Sequence, residues 1–138
     1  MCFSVQIDRD ALKVENRLNA AFSKRYADEF EVLKAIDPKK HKEADQEGRV
    51  FPNVYAPVLT IEDNQRVLRP MRYRVRPHGS KEEVPSKFNL YNARLDSLES
   101  RHTWKKLFGV RHCLLPFRTF YEWVSVDGKK KLINFVPD

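Results

Sequence analysis

Apolar and polar residues alternate from Phe3 through Val5 to Ile7, which predicts a short strand at the start of the chain. The period then lengthens. Ala11, Val14, Leu18, Ala21 and Phe22 recur at helical spacing, Lys13, Glu15, Arg17 and Asn19 fall outside the stripe, and Asp8 or Asp10 can cap the helix. Phe30, Leu33 and Lys34 predict a second short helix that ends near Asp37-Pro38. Residues 37–49 are charged and almost without large apolar groups, as in a surface loop. From Phe51 the pattern favours strands: residues 54–61, interrupted by Pro57, then an Asp63-Asn64 turn, then residues 66–76. Pro77-His78-Gly79-Ser80 breaks the chain again. Leu98, Trp104, Leu107 and Phe108 predict a helix over 96–108, stopped by Gly109. Strands follow at 112–116 and 119–126. Asp127-Gly128 predicts a hairpin returning along 131–136, which would leave an open sheet edge. The expected class is α+β: mainly antiparallel strands curled around one core, barrel-like, with flanking helices.

A length of 138 residues fits one domain with a core that needs no disulfides. Nine Phe, five Tyr and two Trp are too many aromatics for a disordered chain. Gln6, Asp8, Arg9 and Asp10 interrupt any apolar leader, and no run approaches membrane-spanning length. Two cysteines make no disulfide framework, so the expectation is a soluble protein of a reducing compartment, cytoplasmic. The formal net charge of +7 is unevenly spread: residues 1–50 hold ten basic and ten acidic side chains, so residues 51–138 carry the whole excess. A basic half suits a polyanion such as nucleic acid, or simply a solvated surface. Arg72, Arg74 and Arg76 alternate with Met71, Tyr73 and Val75, which on a strand would set three guanidiniums on one face. That face is either the exposed side of an ordinary strand or a track for phosphates.

Three places could do covalent or acid–base chemistry. Cys2 is small enough for Met1 to be removed, which would give an N-terminal 1,2-aminothiol. Its amine condenses with an aldehyde to an imine, and its thiol then closes a thiazolidine; an internal cysteine cannot do this. The alternative is an inert cysteine at a strand start. Asn92-Ala93-Arg94 offers an amide donor and acceptor beside a phosphate-matching fork, or merely a turn beside a surface arginine. Glu122 lies in Phe120-Tyr121-Glu122-Trp123, on the face of Phe120 and Val124 at period two. A carboxyl there suits general acid–base work, or reaches solvent from a strand edge. His41, His78, His102 and His112 lack zinc spacing, and Cys113 has no CxxC partner and reads as core. No metal or cofactor is expected.

Taken in order, Cys2, Asn92-Ala93-Arg94, Arg111-His112-Cys113-Leu114-Leu115-Pro116 and Phe120-Tyr121-Glu122-Trp123 resemble the SRAP family of abasic-site processing proteins (SOS response-associated peptidases). The specific stretch runs over about 88–124 plus the N-terminal cysteine. The resemblance implies a DNA-damage protein that binds single-stranded DNA and joins Cys2 to the aldehyde of an abasic site as a thiazolidine, after an autoproteolytic step that exposes the cysteine. It implies Asn92 at the opened sugar, Arg94 on phosphate, Glu122 as general acid–base and Trp123 beside the pocket on the DNA. With the strand arginines Arg72, Arg74 and Arg76, these are the expected DNA contacts. The family's Gly-Arg after the cysteine is Phe3-Ser4 here, its Glu after the Asn-Ala-Arg string is Asp96, and Thr119 replaces a Gly. The family's catalytic His belongs to a segment beyond Trp123 that is not recognisable, so the expectation is the N-terminal portion of one SRAP-like domain over 1–138. The rival reading is a basic nucleic-acid-binding module, or an inactive fragment, that lacks the chemistry.

Overall fold

In the computed structural model, residues 4–77, 79–88 and 91–137 are described. In chain order the elements are β1 (Ser4–Gln6), α1 (Ala11–Leu18), β2 (Ala21–Phe22), α2 (Lys24–Ile36), β3 (Arg49–Val50), β4 (Tyr55–Glu62), β5 (Gln65–Arg72), α3 (His102–Lys105), β6 (Thr119–Val126) and β7 (Lys129–Phe135). Two single-turn 3₁₀ helices, Ser86–Phe88 and Leu95–Ser97, precede α3. The chain divides into two compact units, residues 74–112 and the remainder. The α+β class with mainly antiparallel pairing is as expected. The strands are divided between two sheets, β3-β1-β6-β7 and β2-β5-β4, with β2 and β5 parallel.

Local chemistry sets the turns. Asp63 and Asn64 take φ of 49° and 62°, and Asp127 and Gly128 take 51° and 72°, so both hairpins have the left-handed pair that matches strand twist. The β4–β5 register places Pro57 opposite Pro70. Proline has no N–H to give, so this pair must be a non-hydrogen-bonded one, with both missing donors on the outer sides of the two strands. The outer side of β4 is used again at Leu59, which exchanges hydrogen bonds of 2.8 and 2.9 Å with Leu114.

Helix α1 starts where the Asp10 carboxylate accepts from the Lys13 N–H at 3.1 Å, and stops at Asn19 in left-handed conformation. The stop falls earlier than the apolar stripe suggests: Ala21 and Phe22 leave the helix and pair with Val67 and Leu68. Val14 supplies the helix's buried residue. The main core is built from Val5, Ile7, Val50 and Ala56, against which Tyr73, Leu115 and Phe120 pack.

Four expectations are corrected. The strand expected over 66–76 ends at Arg72, with Tyr73 adding one more hydrogen bond to the Val54 carbonyl at 2.8 Å. The helix over 96–108 is a 3₁₀ turn and the one-turn α3, because Ser97 and Ser100 turn the chain between them, the Ser100 hydroxyl donating to the Ser97 carbonyl at 3.1 Å. The strand over 112–116 is a single bridge at Leu114, and Cys113 is exposed rather than core. Neighbouring atoms still withdraw enough water from its thiol to raise its pKa. The return strand begins at Lys129, not Lys131, so the lysine run lies on β7 itself, at the sheet edge.

Gly48 carries a structural demand that bears on the site. Its φ is 81°, and a Cβ there would stand 2.5 Å from the Ile7 carbonyl oxygen. Close backbone approach at Gly48 lets the Ile7 N–H reach its carbonyl at 2.9 Å and brings β3 onto β1. Gly48→Ala is expected to cost about 3 kcal/mol, from a left-handed non-glycine residue plus a backbone clash. Gly128→Ala, at φ 72° with open space around it, should cost about 1 kcal/mol. Urea unfolding of the two variants measures the difference; equal losses would refute the close-approach argument.

Candidate active site

Strand β6 carries the best-placed acid. Its register sets Phe120 opposite Val5 and Phe135, Tyr121 opposite Ser4 and Asn134, Glu122 opposite Ile133 and Trp123 opposite Leu132. Cross-strand partners share a face, so Glu122 lies with Phe120, Val124 and Ile133, as period two predicts. Its flanks are rigid: Phe120 stacks on Phe135 with ring centroids 4.6 Å apart and planes 7° from parallel, and Phe117 meets Phe120 edge-on at 6.1 Å. Glu122 is half-buried. Trp123, on the opposite face, is 48% exposed.

The N-terminal strand is fixed to β6 by groups the sequence reading missed. Ser4 is fully buried, and its hydroxyl accepts from Arg49 Nη2 at 2.6 Å. The Arg49 guanidinium carbon lies 3.5 Å from the Tyr121 ring centroid, a stacked cation–π contact. The Tyr121 hydroxyl in turn donates to Gln6 Oε1 at 3.1 Å. Arg49 sits at the end of a charged loop with no periodicity, so its one sequence signal is the left-handed Gly48 before it. Cys2, the expected nucleophile, lies outside the described residues, as does His78.

Asn92 and Arg94 belong to the second unit. Asn92 is half-buried. Arg94 stands at the N-terminal cap of the Leu95–Ser97 turn and forks onto Asp96, with Nε to Oδ1 at 3.1 Å and Nη2 to Oδ2 at 2.5 Å. Those hydrogen bonds hold the Asp96 carboxyl below, and the Arg94 guanidinium above, their ordinary pKa values. The pair is exposed, 72% and 59% for the two side chains, so it is weakly held and can be exchanged for another anion.

The three-guanidinium strand face does not form. Arg72 ends β5, and Arg74 and Arg76 lie past it in the second unit. The Arg74 side chain is 8% exposed and lies 3.7 Å from Glu83, so it is held from solvent while Arg76 is exposed. A cavity of about 270 Å³ lies in the first unit, lined by Ile7, Phe22, Phe30, Tyr55, Pro57 and Pro70 among others. Among the described residues, none of the expected site residues lines it.

The first unit thus holds a half-buried carboxylate on a strand paired with the N-terminal strand, and the second holds an Asn-Ala-Arg turn with an exposed arginine fork, in a chain of α+β class. The chain belongs to the SOS response-associated peptidase (SRAP) family, whose profile matches residues 1–137. It is similar to the abasic site processing protein YobE of Bacillus subtilis, 30% identical over 77 residues, which covers 54% of this chain and 35% of that protein. It is also similar to the abasic site processing protein HMCES of Pongo abelii, 34% identical over 74 residues, covering 51% of this chain and 21% of that protein. Two crystal structures share the fold, one of a protein from Bordetella bronchiseptica (TM-score 0.63) and one from Bacteroides thetaiotaomicron (TM-score 0.64). Each is 18% identical and covers 95% of this chain, but only 55% and 52% of its own length is matched.

Proposed function

We propose that this protein processes abasic sites in DNA, capturing them covalently in single-stranded DNA through Cys2. The observation that carries the reading is the pairing of Ser4 with Tyr121, next to Glu122. Cys2 precedes Ser4 by two residues, and an extended chain spans at most about 3.6 Å per residue, so connectivity alone keeps Cys2 within about 7 Å of Ser4. The family match supports the same assignment.

The chemistry follows from that tether. Autoproteolytic removal of Met1 frees the Cys2 amine. The amine attacks the aldehyde carbon of the ring-opened sugar, giving a carbinolamine. Glu122 donates a proton to the leaving hydroxyl, water departs, and an imine forms. The Cys2 sulfur then adds to the imine carbon, its proton passes to nitrogen, and a thiazolidine closes, with one water lost overall. An imine that escapes closure acidifies the adjacent sugar carbon and permits lyase-like strand cleavage by β-elimination. Asn92 hydrogen-bonds the opened sugar, and Arg94, Arg72 and Arg76 hold phosphates. No metal or cofactor takes part. The setting is the cytoplasm, at the nucleoid. Incubation with single-stranded DNA bearing one abasic site, followed by a denaturing gel, tests the reading: a heat-stable adduct is expected, and none with intact DNA. No adduct with abasic DNA overturns it and leaves a non-catalytic binding module.

The Arg94–Asp96 fork yields a further expectation. Asp96→Asn releases Arg94 from its internal anion, so affinity for single-stranded DNA should rise by up to about fivefold, the scale of an exposed pair. The log K against log[salt] slope should steepen by about 0.7, one added contact. Anisotropy titrations at several salt concentrations check it; an unchanged slope means Arg94 does not meet phosphate.

A further inference from the structure

We infer that Arg49 is a positioning residue for the chemistry at the N-terminus: its guanidinium fixes Ser4 against Tyr121, and so sets where Cys2 meets the strand that carries Glu122. The inference deepens, and rests on, the reading of covalent capture through Cys2. Strand β1 is short and its backbone pairing is uneven. On one side β6 pairs with all 3 of its residues, from Gln6 with Thr119 to Ser4 with Tyr121. On the other side β3 ends at Val50, so its pairing stops at Val5, one residue before Ser4. The Arg49 side chain takes over there. Arg49 is the partner of Gln6, which puts it on the face shared by Ser4 and Tyr121. Its Nη2 donates to the buried Ser4 hydroxyl at 2.6 Å.

Three features separate Arg49 from an ordinary strand arginine. Its backbone is held from the loop before it, where Asp45 Oδ1 accepts from the Glu47 N–H at 3.0 Å and from the Arg49 N–H at 2.8 Å. Its guanidinium is held as well. The guanidinium carbon lies 3.5 Å from the Tyr121 ring centroid, the Tyr121 hydroxyl donates to Gln6 Oε1 at 3.1 Å, and Gln6 Nε2 donates to the Glu47 carbonyl at 2.9 Å. The loop, β1 and β6 are thereby closed into one network around Ser4. The third feature is a cost: Arg49 Nε is buried and, among the described residues, has no hydrogen-bond partner. Native folds seldom leave a buried N–H unpaired, and such violations gather at functional sites. A lysine would reach Ser4 without that cost, but it has no plane to lay on Tyr121. Cys2 is two residues from Ser4, so any error in the place of Ser4 passes to the amine and the thiol. A misplacement of about 1 Å can slow a positioned reaction about 100-fold.

The test is single-turnover crosslinking of single-stranded DNA bearing one abasic site, at rising protein concentration and at a temperature where circular dichroism shows each variant folded. Arg49→Met should lower the saturating rate by about tenfold or more and move the half-saturating concentration by less than about threefold, because Arg49 holds protein and not phosphate. Tyr121→Leu should do the same. The double variant should be no slower than the slower single one, since the two side chains hold Ser4 as a unit. Tyr121→Phe keeps the ring under the guanidinium and should stay within about threefold of wild type. If Arg49→Met does not fold, Arg49→Lys carries the test: it keeps the cation and loses the flat stack, and its saturating rate should fall about fivefold. A saturating rate within about twofold of wild type in the folded Arg49 variant overturns the inference, as do losses that multiply in the double variant. A loss confined to the half-saturating concentration also overturns it and makes Arg49 a DNA contact. The two readings fail separately: no adduct from wild type removes covalent capture and this inference with it, whereas an adduct formed equally fast by wild type and Arg49→Met removes this inference alone.

Discussion

Cys2→Ala is expected to eliminate the heat-stable adduct with abasic single-stranded DNA. Alanine keeps the α-amine, so an imine still forms, but no sulfur is present to close the ring. The imine is hydrolysed on denaturation unless borohydride reduces it first. The pattern therefore separates the two atoms of the aminothiol: no adduct after heating, and a borohydride-dependent adduct before it. Binding of intact single-stranded DNA should stay within about twofold, because the substitution removes no cation. An undiminished heat-stable adduct with Cys2→Ala would place the linkage on another group, and the aminothiol account would fail.

Glu122→Gln should slow crosslinking by about two orders of magnitude while leaving binding within a few-fold of wild type. Glutamine keeps the shape between Phe120 and Val124 and removes the proton transfer. The rate is the informative readout: a purely structural glutamate would change thermal stability and leave the single-turnover crosslinking rate alone. A Glu122→Gln chain that crosslinks as fast as wild type would make Glu122 a structural strand residue.

The hairpins were legible because their turns are local. Asp63-Asn64 and Asp127-Gly128 announce themselves as residues that tolerate positive φ, and the structure places each in that region. The face of Glu122 was legible because strand period is strictly two. What failed depended on partners distant in sequence. The alternation from Arg72 to Arg76 is a good strand pattern, but β4, its partner, begins at Tyr55, and past the Tyr73–Val54 hydrogen bond there is no strand left to pair with. Cys113 looked like core because on a strand it would face away from His112, yet the bridge there is the single Leu59–Leu114 pair, and one bridge does not bury the residue beside it. The Arg49–Ser4–Tyr121 clamp joins three residues with no common motif, separated by up to 117 positions. Only the fold brings them together.

Intact-mass analysis of the denatured wild-type adduct, followed by peptide mapping, tests the central claim most directly. The account predicts one species, with the mass of the chain lacking Met1 plus the DNA strand less one water. The sugar carbon should be attached to the N-terminal peptide, with both the amine and the thiol of Cys2 consumed. An adduct mapped to a lysine, or one whose Cys2 thiol still reacts with an alkylating agent, would contradict it.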